Sequence, residues 1–320
     1  MSISEIAVWR ADTEPSPAAR GRRLTVVFNP TAGARRRGRL QATLDLLRRS
    51  GCNVALRATA AKGDAEAIAR EVGAANGLST DMLVIAGGDG TINEAVNGLL
   101  ANANGVPPLA LVPLGTANVL AAEIGLSLAP GDVARAITGG IAARAYIGVA
   151  NGRCFTAMAG VGFDAHVVAN VSLRLKRRLG KGAYVLESLR QLFRFDFPRY
   201  RVTVDGQEFD AASVIVAKGH FYAGRFVCAP DARIDAPEFH VCLFERGGRW
   251  NALRYALALA AGRLHRLPDF RVVRGHSVTI DGPAGDPVQG DGDIIAALPV
   301  DIGVAPRQLH LIVPTAGPAS

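Results

Sequence analysis

The segment richest in potential chemistry runs Leu83-Val84-Ile85-Ala86-Gly87-Gly88-Asp89-Gly90-Thr91-Ile92-Asn93-Glu94. An apolar strand ends in three glycines around one aspartate, and a helix begins at once. Glycines at such a turn tolerate positive φ and let backbone N–H groups approach an anion, while the helix N-terminus adds a partial positive charge. The pattern is that of a phosphate site. Asp89, held between glycines, is suited to hold Mg2+ or to orient an attacking hydroxyl. A tight turn with Asp89 as a helix cap is the plainer alternative, but one cap does not need three glycines.

Two more loops repeat the arrangement, Phe28-Asn29-Pro30-Thr31-Ala32-Gly33 and Pro113-Leu114-Gly115-Thr116-Ala117-Asn118. Each sets a glycine among small hydroxyl or amide side chains at the end of an apolar run, where loops of a parallel sheet converge on a ligand. Thr59 with Lys62-Gly63-Asp64 is a fourth candidate. The P-loop pattern G-x-x-x-x-G-K-[ST] is absent, and no G-x-G-x-x-G opens a helix after the first strand, which removes support for P-loop and dinucleotide-binding readings. The histidines are scattered, and none stands with a Ser or Cys in a nucleophile setting.

These loops need elements to hold them. From Leu24 the chain alternates short β-branched runs with helical stretches, the form of a parallel sheet covered by helices. Strands are expected over Leu24 to Phe28, Asn53 to Thr59, Met82 to Ala86 and Leu109 to Val112. Helices are expected over Arg39 to Ser50, Asp64 to Asn76 and Thr91 to Leu100. After about Ile147 the texture changes to many short strands, suggesting an antiparallel sandwich or barrel. One long amphipathic helix, Val167 to Phe195, interrupts them. The expected organisation is a flexible lead over 1–22, an α/β nucleotide-binding domain over 23–147 and an all-β sandwich-like domain over 148–320. The C-terminal strand can return to the first domain, and a cleft between domains is the default place for chemistry.

Composition agrees with a two-domain globular chain: 320 residues, 49% hydrophobic, 20% charged and free of repeats. The cysteines at 52, 154, 228 and 242 form no C-x-x-C pair, so neither a zinc site nor a disulfide framework is indicated, and a reduced cytoplasmic chain is expected. The first twenty residues do not resemble a secretory signal. The most apolar stretch, Leu253 to Ala261, is interrupted by Arg254 and falls short of the roughly 18–20 residues that span a bilayer. A net charge of +8 favours an anionic partner without choosing one. Basic clusters occur at Arg35, Arg36, Arg37 and Arg39 and at Arg174, Lys176, Arg177, Arg178 and Lys181; beside Leu173, Leu175 and Leu179 the second suits an interfacial segment near anionic headgroups.

Asn29-Pro30 with Gly33, Thr59 with Gly63-Asp64-Ala65, Gly87 to Asn93, and Pro113 to Asn118 together resemble the diacylglycerol kinase catalytic-domain family, which includes bacterial lipid kinases, sphingosine kinases and ceramide kinases. The resemblance continues through Arg178-Leu179-Gly180-Lys181, Tyr222-Ala223-Gly224, Ala229-Pro230 and Asp291-Gly292-Asp293, and so covers the chain from about Leu24. It implies a fold like those of NAD kinase and diacylglycerol kinase, with ATP as donor, Mg2+ as cofactor, and a lipid hydroxyl as acceptor. The lipid would be met at a membrane surface at the inner face, with anionic phospholipid and not nucleic acid as partner; a homodimer is compatible.

By the same resemblance, Asn29, Thr59, Gly87, Gly88, Asp89, Gly90, Thr91, Asn93, Gly115 and Thr116 contact nucleotide, and Asp293 is the catalytic base beside Asp89. Three positions depart from the family pattern. Asp293 stands where a Glu is usual and is about one methylene shorter. Ala236-Pro237 stands where an Asp-Gly pair binds a structural Mg2+, leaving Asp235 and Glu238 as candidate ligands. Val119 follows Asn118 where an Asp is common. The alternatives to a lipid kinase are an NAD kinase-like phosphotransferase, which the Pro113-to-Asn118 loop disfavours, and a catalytically weak lipid- or nucleotide-binding protein, which the first two departures motivate.

Overall fold

A computed structural model of the chain describes residues 14–15, 21–30, 34–74, 80–102, 106–171 and 181–315. The chain divides into two compact units, Met1–Ala145 with Arg307–Ser320, and Tyr146–Pro306.

The first unit is built on a seven-stranded sheet in the order Glu14–Pro15, Ile141–Ala145, Leu309–Val313, Leu109–Pro113, Met82–Gly87, Arg23–Phe28, Asn53–Ala58. Its central strands are parallel, and Ile141–Ala145 runs antiparallel to the C-terminal strand. Met82–Gly87 and Leu109–Pro113 are buried along their whole length, as expected of strands covered on both faces. The register places the loops. Phe28 pairs with both Ala58 and Ala86, and Gly87 pairs with Pro113, so four strands end at one level and their loops leave from one edge.

The strands lie close to where the sequence puts them, but the helices differ. The first begins at Ala34, five residues ahead of Arg39, because arginine is a good helix former and Arg35, Arg36 and Arg37 extend it. No acidic residue stands in that first turn, so its positive end is not offset from within. Helices Asp64–Ala74 and Asp89–Leu100 cross closely at Gly98, where a Cβ would stand 2.1 Å from the Glu66 carbonyl oxygen.

The second unit is a sandwich of two six-stranded sheets. One runs Gln207–Ala211, Tyr200–Val204, Val278–Asp281, Val300–Val304, Gly148–Ala150, Arg153–Phe155; the other runs Phe270–Gly275, Phe239–Phe244, Ser213–Ala217, Met158–Gly162, Pro287–Gly290, Asp293–Ala297. Neighbouring strands in both are antiparallel. Phe155, Tyr200, Val202, Phe239, Val241 and Ile280 fill the space between them. The expected α/β unit with a parallel sheet and the all-β sandwich are therefore what form.

The single helix expected over Val167 to Phe195 does not run through: Phe163–Asn170 ends where Val171 turns extended, and Lys181–Arg194 is the next helix among the described residues. Residues 172–180, which carry Arg174, Lys176, Arg177 and Arg178, lie outside the described residues. A further helix, Arg249–Ala260, forms over a stretch that reads only as a failed membrane span. Among the described residues no helix is long and apolar enough to cross a membrane.

Gly98→Ala tests the helix crossing. Alanine is the better helix former by about 1 kcal/mol, but here its methyl meets backbone, and overpacking costs about 1–3 kcal/mol. The urea midpoint of the first unit should fall; an unchanged or higher midpoint would mean that the crossing is looser than described.

Candidate active site

Asn29, Thr59, the Gly87-Gly88-Asp89 turn and the Gly115-Thr116 loop lie side by side at the carboxyl edge of the first unit's sheet. Backbone bonds carry the strand ladders into the loops: Asn29 N–H donates to Ala86 O at 3.4 Å, Thr59 N–H to Phe28 O at 3.0 Å, and Leu114 N–H to Gly87 O at 2.9 Å. Thr59 is buried, its hydroxyl 3.5 Å from Phe28 O. The Thr59 loop is closed by Asp64, whose carboxylate accepts the N–H groups of Ala60 at 2.7 Å and Ala61 at 2.9 Å. Those two bonds, Ala61 foremost, hold the Asp64 carboxyl below the usual range.

The glycines of the central turn have distinct reasons. A Cβ at Gly87 would stand 2.8 Å from Thr91 Cβ, so Thr91 can fold over the turn only because position 87 is bare. A Cβ at Gly88 would stand 3.0 Å from Gly115 Cα, and one at Gly115 would stand 2.6 Å from Gly88 Cα. Two phosphate-loop candidates thus touch backbone to backbone. Gly90 is the second residue of the helix that follows. That helix, Asp89–Leu100, starts after Gly88, which has no side chain to cap it, so its positive end lies at the loops.

Asp89 does more than sequence suggests. Its Oδ1 accepts the Val119 N–H at 2.7 Å, so one carboxylate ties the helix start to the neighbouring loop. Val119 contributes through its backbone. Asn118 holds a left-handed conformation at φ 50° and donates from Nδ2 to Gly115 O at 3.1 Å, while its buried Oδ1 has no hydrogen-bond partner among the described residues. An orphaned buried acceptor at this edge fits a donor supplied by a ligand. Arg36 Nη2 donates to Thr116 Oγ1 at 3.1 Å, bringing a cation from the basic cluster over the same loop. Asn93 differs from the others. It is buried one turn into the helix, and its Oδ1 accepts Asn97 Nδ2 at 3.0 Å. Gly33 lies outside the described residues.

In the second unit, Asp293 begins a strand directly after a tight turn in which Asp291 and Gly292 have φ of 52° and 87°. The Asp291 carboxylate accepts four donors: Thr156 N–H at 2.6 Å, Thr156 Oγ1 at 2.9 Å, Ala157 N–H at 2.8 Å and Met158 N–H at 3.2 Å. Gly292 N–H donates to Gln289 Oε1 at 2.9 Å, and Gln289 Nε2 donates to Asp164 Oδ2 at 2.7 Å. Tyr222 OH closes the chain on Asp164 Oδ1. Burial pushes the Asp164 carboxyl up, against the pull of Tyr222 and Gln289, and burial beside that carboxylate pushes the Tyr222 hydroxyl well up. Asp293 thus sits on a turn fixed from below by Asp291 and from the side by Gln289. Asp164 and Gln289 escape sequence reading because they stand 125 positions apart; the nearest clue is Gly160-Val161-Gly162-Phe163-Asp164.

The candidate metal ligands are otherwise engaged. Arg233 donates to Asp235 from Nε at 2.9 Å and from Nη2 at 2.6 Å, and Glu238 Oε1 lies 3.6 Å from His240 Nε2. The carbonyls of Arg233, Ala236 and Glu238 face the ammonium of fully buried Lys218, at 3.5 Å for Arg233 and 3.1 Å for Glu238. Tyr146 and Phe239 present their rings to the same ammonium at 5.8 and 5.6 Å. A lysine in place of an ion is a sound reason for the loop's fold, since a buried cation needs several acceptors. Asp235 and Glu238 as placed do not fit a divalent ion, and among the described residues no group of three His, Cys, Asp or Glu side chains is arranged for one.

Comparison with known proteins agrees with this geometry. Residues 23–150 match the model of the diacylglycerol kinase catalytic domain, and residues 157–313 that of the YegS C-terminal NAD kinase beta sandwich-like domain. The diacylglycerol kinase of Bacillus subtilis (strain 168) is 26% identical over 299 residues, which cover 92% of this chain and 97% of the relative. That of Staphylococcus carnosus (strain TM300) is 28% identical over 289 residues, covering 88% and 91%. In fold, the crystal structure of a diacylglycerol kinase from Bacillus anthracis str. Sterne superimposes with a TM-score of 0.74 at 23% identity, over 92% of this chain and 98% of that one. With both units matched in order and the motif residues gathered at one sheet edge, the chain belongs to the diacylglycerol kinase catalytic-domain family of lipid kinases.

Proposed function

We propose that the protein transfers the γ-phosphoryl group of ATP to a hydroxyl of diacylglycerol or a similar lipid, a sphingoid base or ceramide being the other acceptors to test. The observation that supports this most is the contact between Gly88 and Gly115, which brings two loops together beside a helix start and near the Arg36 guanidinium. Such a surface suits a chain of phosphates and not a planar ring, since its donors are backbone N–H groups and one guanidinium.

Phosphoryl transfer asks the protein to position and to stabilise charge more than to form bonds with the substrate. The lipid hydroxyl oxygen attacks the γ-phosphorus, the bond to the β,γ-bridging oxygen breaks, ADP leaves, and the hydroxyl proton passes to the Asp293 carboxylate. Asp291 and Gln289 act on that step by fixing the turn that carries Asp293. Asp89 keeps the two phosphate loops in register, and Arg36 adds positive charge over Thr116. Mg2+, arriving with the nucleotide, would supply neutralisation of charge on the β- and γ-phosphates.

The test is transfer from labelled ATP to diacylglycerol, sphingoid base, ceramide and NAD presented separately in mixed micelles. Nucleotide binding without transfer to any lipid would sink the reading, and transfer to NAD alone would replace it. Asp89→Asn keeps an acceptor for the Val119 N–H but loses the charge, and transfer should drop at least about 10²-fold. Asp293→Ala should lower kcat by about 10²–10⁴, whereas Asp293→Glu should keep or raise it; full activity in the alanine variant would remove Asp293 as the base. Arg36→Ala should raise KM for ATP about tenfold, the worth of one charge-assisted hydrogen bond of about 1.5 kcal/mol, with kcat little changed.

A further inference from the structure

Helix Lys181–Arg194 is inside out. Among its described side chains the two that are fully buried are polar: Glu187 is 4% exposed and Gln191 5%, joined by a bond from Gln191 Nε2 to Glu187 Oε1 at 2.8 Å. The side chains it turns to solvent are apolar: Val185 is 61% exposed, Leu189 51% and Phe193 76%. These three stand four residues apart, so they form one stripe. The adjoining helix Arg249–Ala260 repeats the feature, with Trp250 74%, Leu253 37% and Leu257 62% exposed at positions i, i+3 and i+7. The Arg249 guanidinium lies 6.0 Å from the Phe193 ring and 5.9 Å from the Trp250 ring and so joins the two stripes.

We propose that the face formed by Val185, Leu189 and Phe193 on one helix and Trp250, Leu253 and Leu257 on the next docks the second unit into the interface of an anionic lipid bilayer. The proposal deepens the lipid-kinase reading and rests on it for why a bilayer should be at hand. The chemistry of the face selects the occupant. An apolar stripe that faces outward while the polar residues face inward needs an apolar medium outside. A tryptophan among aliphatic and phenylalanine side chains suits the headgroup level, where one end of the ring is wet. The charges match an anionic surface: Arg194 and Arg249 stand exposed beside the stripes, and the one carboxylate of the two helices, Glu187, is turned inward, where Arg190 pairs with it. A second copy of this chain would bring the same cations against these, which disfavours self-association through the face.

The experiment uses the full chain with Trp9→Phe, so that Trp250 is the one tryptophan, and vesicles of phosphatidylcholine with and without phosphatidylglycerol. Binding to the anionic vesicles should shift Trp250 emission to the blue, with weaker binding to neutral vesicles and at high salt. Phe193→Ser and Leu257→Ser should each lower the partition coefficient about tenfold, roughly the loss of 1.4 kcal/mol of apolar burial, and leave the melting temperature unchanged because both side chains are exposed. Activity toward a short-chain diacylglycerol in free solution should be the same in the variants and the parent. If that activity is absent in all of them while vesicle binding still falls in the variants, the docking face stands and the kinase reading fails. Vesicle binding that is unaffected by either variant, or Trp250 emission that shifts on dimerisation and not on vesicles, overturns the proposal.

Discussion

The loop edge of the first unit's sheet depends on two backbones being allowed to touch. At Gly88 and Gly115 a side chain on either residue would push the central turn away from the next loop, by the distances at which a Cβ would meet the opposing Cα. With the loops in contact, the Asp89 carboxylate reaches the Val119 N–H, the Asp89–Leu100 helix starts at the loops, and Arg36 reaches Thr116. The sheet register makes this possible, because Gly87 and Pro113 are direct partners and the loops leave from one level. A carboxylate that looks like a metal or substrate ligand in the sequence is therefore also a strut.

The second unit solves a similar problem with side chains. Asp291, in a left-handed turn, collects three backbone N–H groups and one hydroxyl from residues 156–158, a distance of some 130 positions along the chain. Charge-assisted bonds of this kind are stronger than neutral ones, and their number leaves the turn little freedom. The adjoining chain from Gly292 through Gln289 to Asp164 and Tyr222 holds the other side. Held on both sides, the turn fixes the backbone from which Asp293 projects.

Polarity in the second unit runs against the usual rule at two places, and each has a physical reason. Lys218 is buried because backbone carbonyls and two rings surround its ammonium. Glu187 and Gln191 are buried because they satisfy each other along one helix turn. The outer face of that helix is then free to be apolar, a distribution that costs free energy in water and gains it in contact with lipid.

Much of this was legible in the sequence. The alternation of apolar runs with helical stretches determined the parallel sheet, since strands covered on both faces must be apolar throughout, and the glycine loops lie at the ends of those strands, along one edge of the sheet. The run of short strands after Ile147 determined the sandwich in the same way. What lay beyond reach had one cause, separation along the chain. Which glycine faces which loop, that Val119 serves by its N–H, that Arg36 meets Thr116, and that Asp164, Gln289 and Asp291 brace Asp293 depend on residues tens to more than a hundred positions apart. The metal candidates Asp235 and Glu238 show the same limit through Lys218, whose ammonium reaches their loop from 15 to 20 positions away, while their partners Arg233 and His240 are near neighbours in the chain. Periodicity also carried one helix past the break at Val171 and left open which way Lys181–Arg194 would face, for a helix whose apolar side faces outward carries the same pattern as one whose apolar side faces in. Local chemistry and patterning are written in the order of residues; the direction in which a face points is decided only when the sheets close.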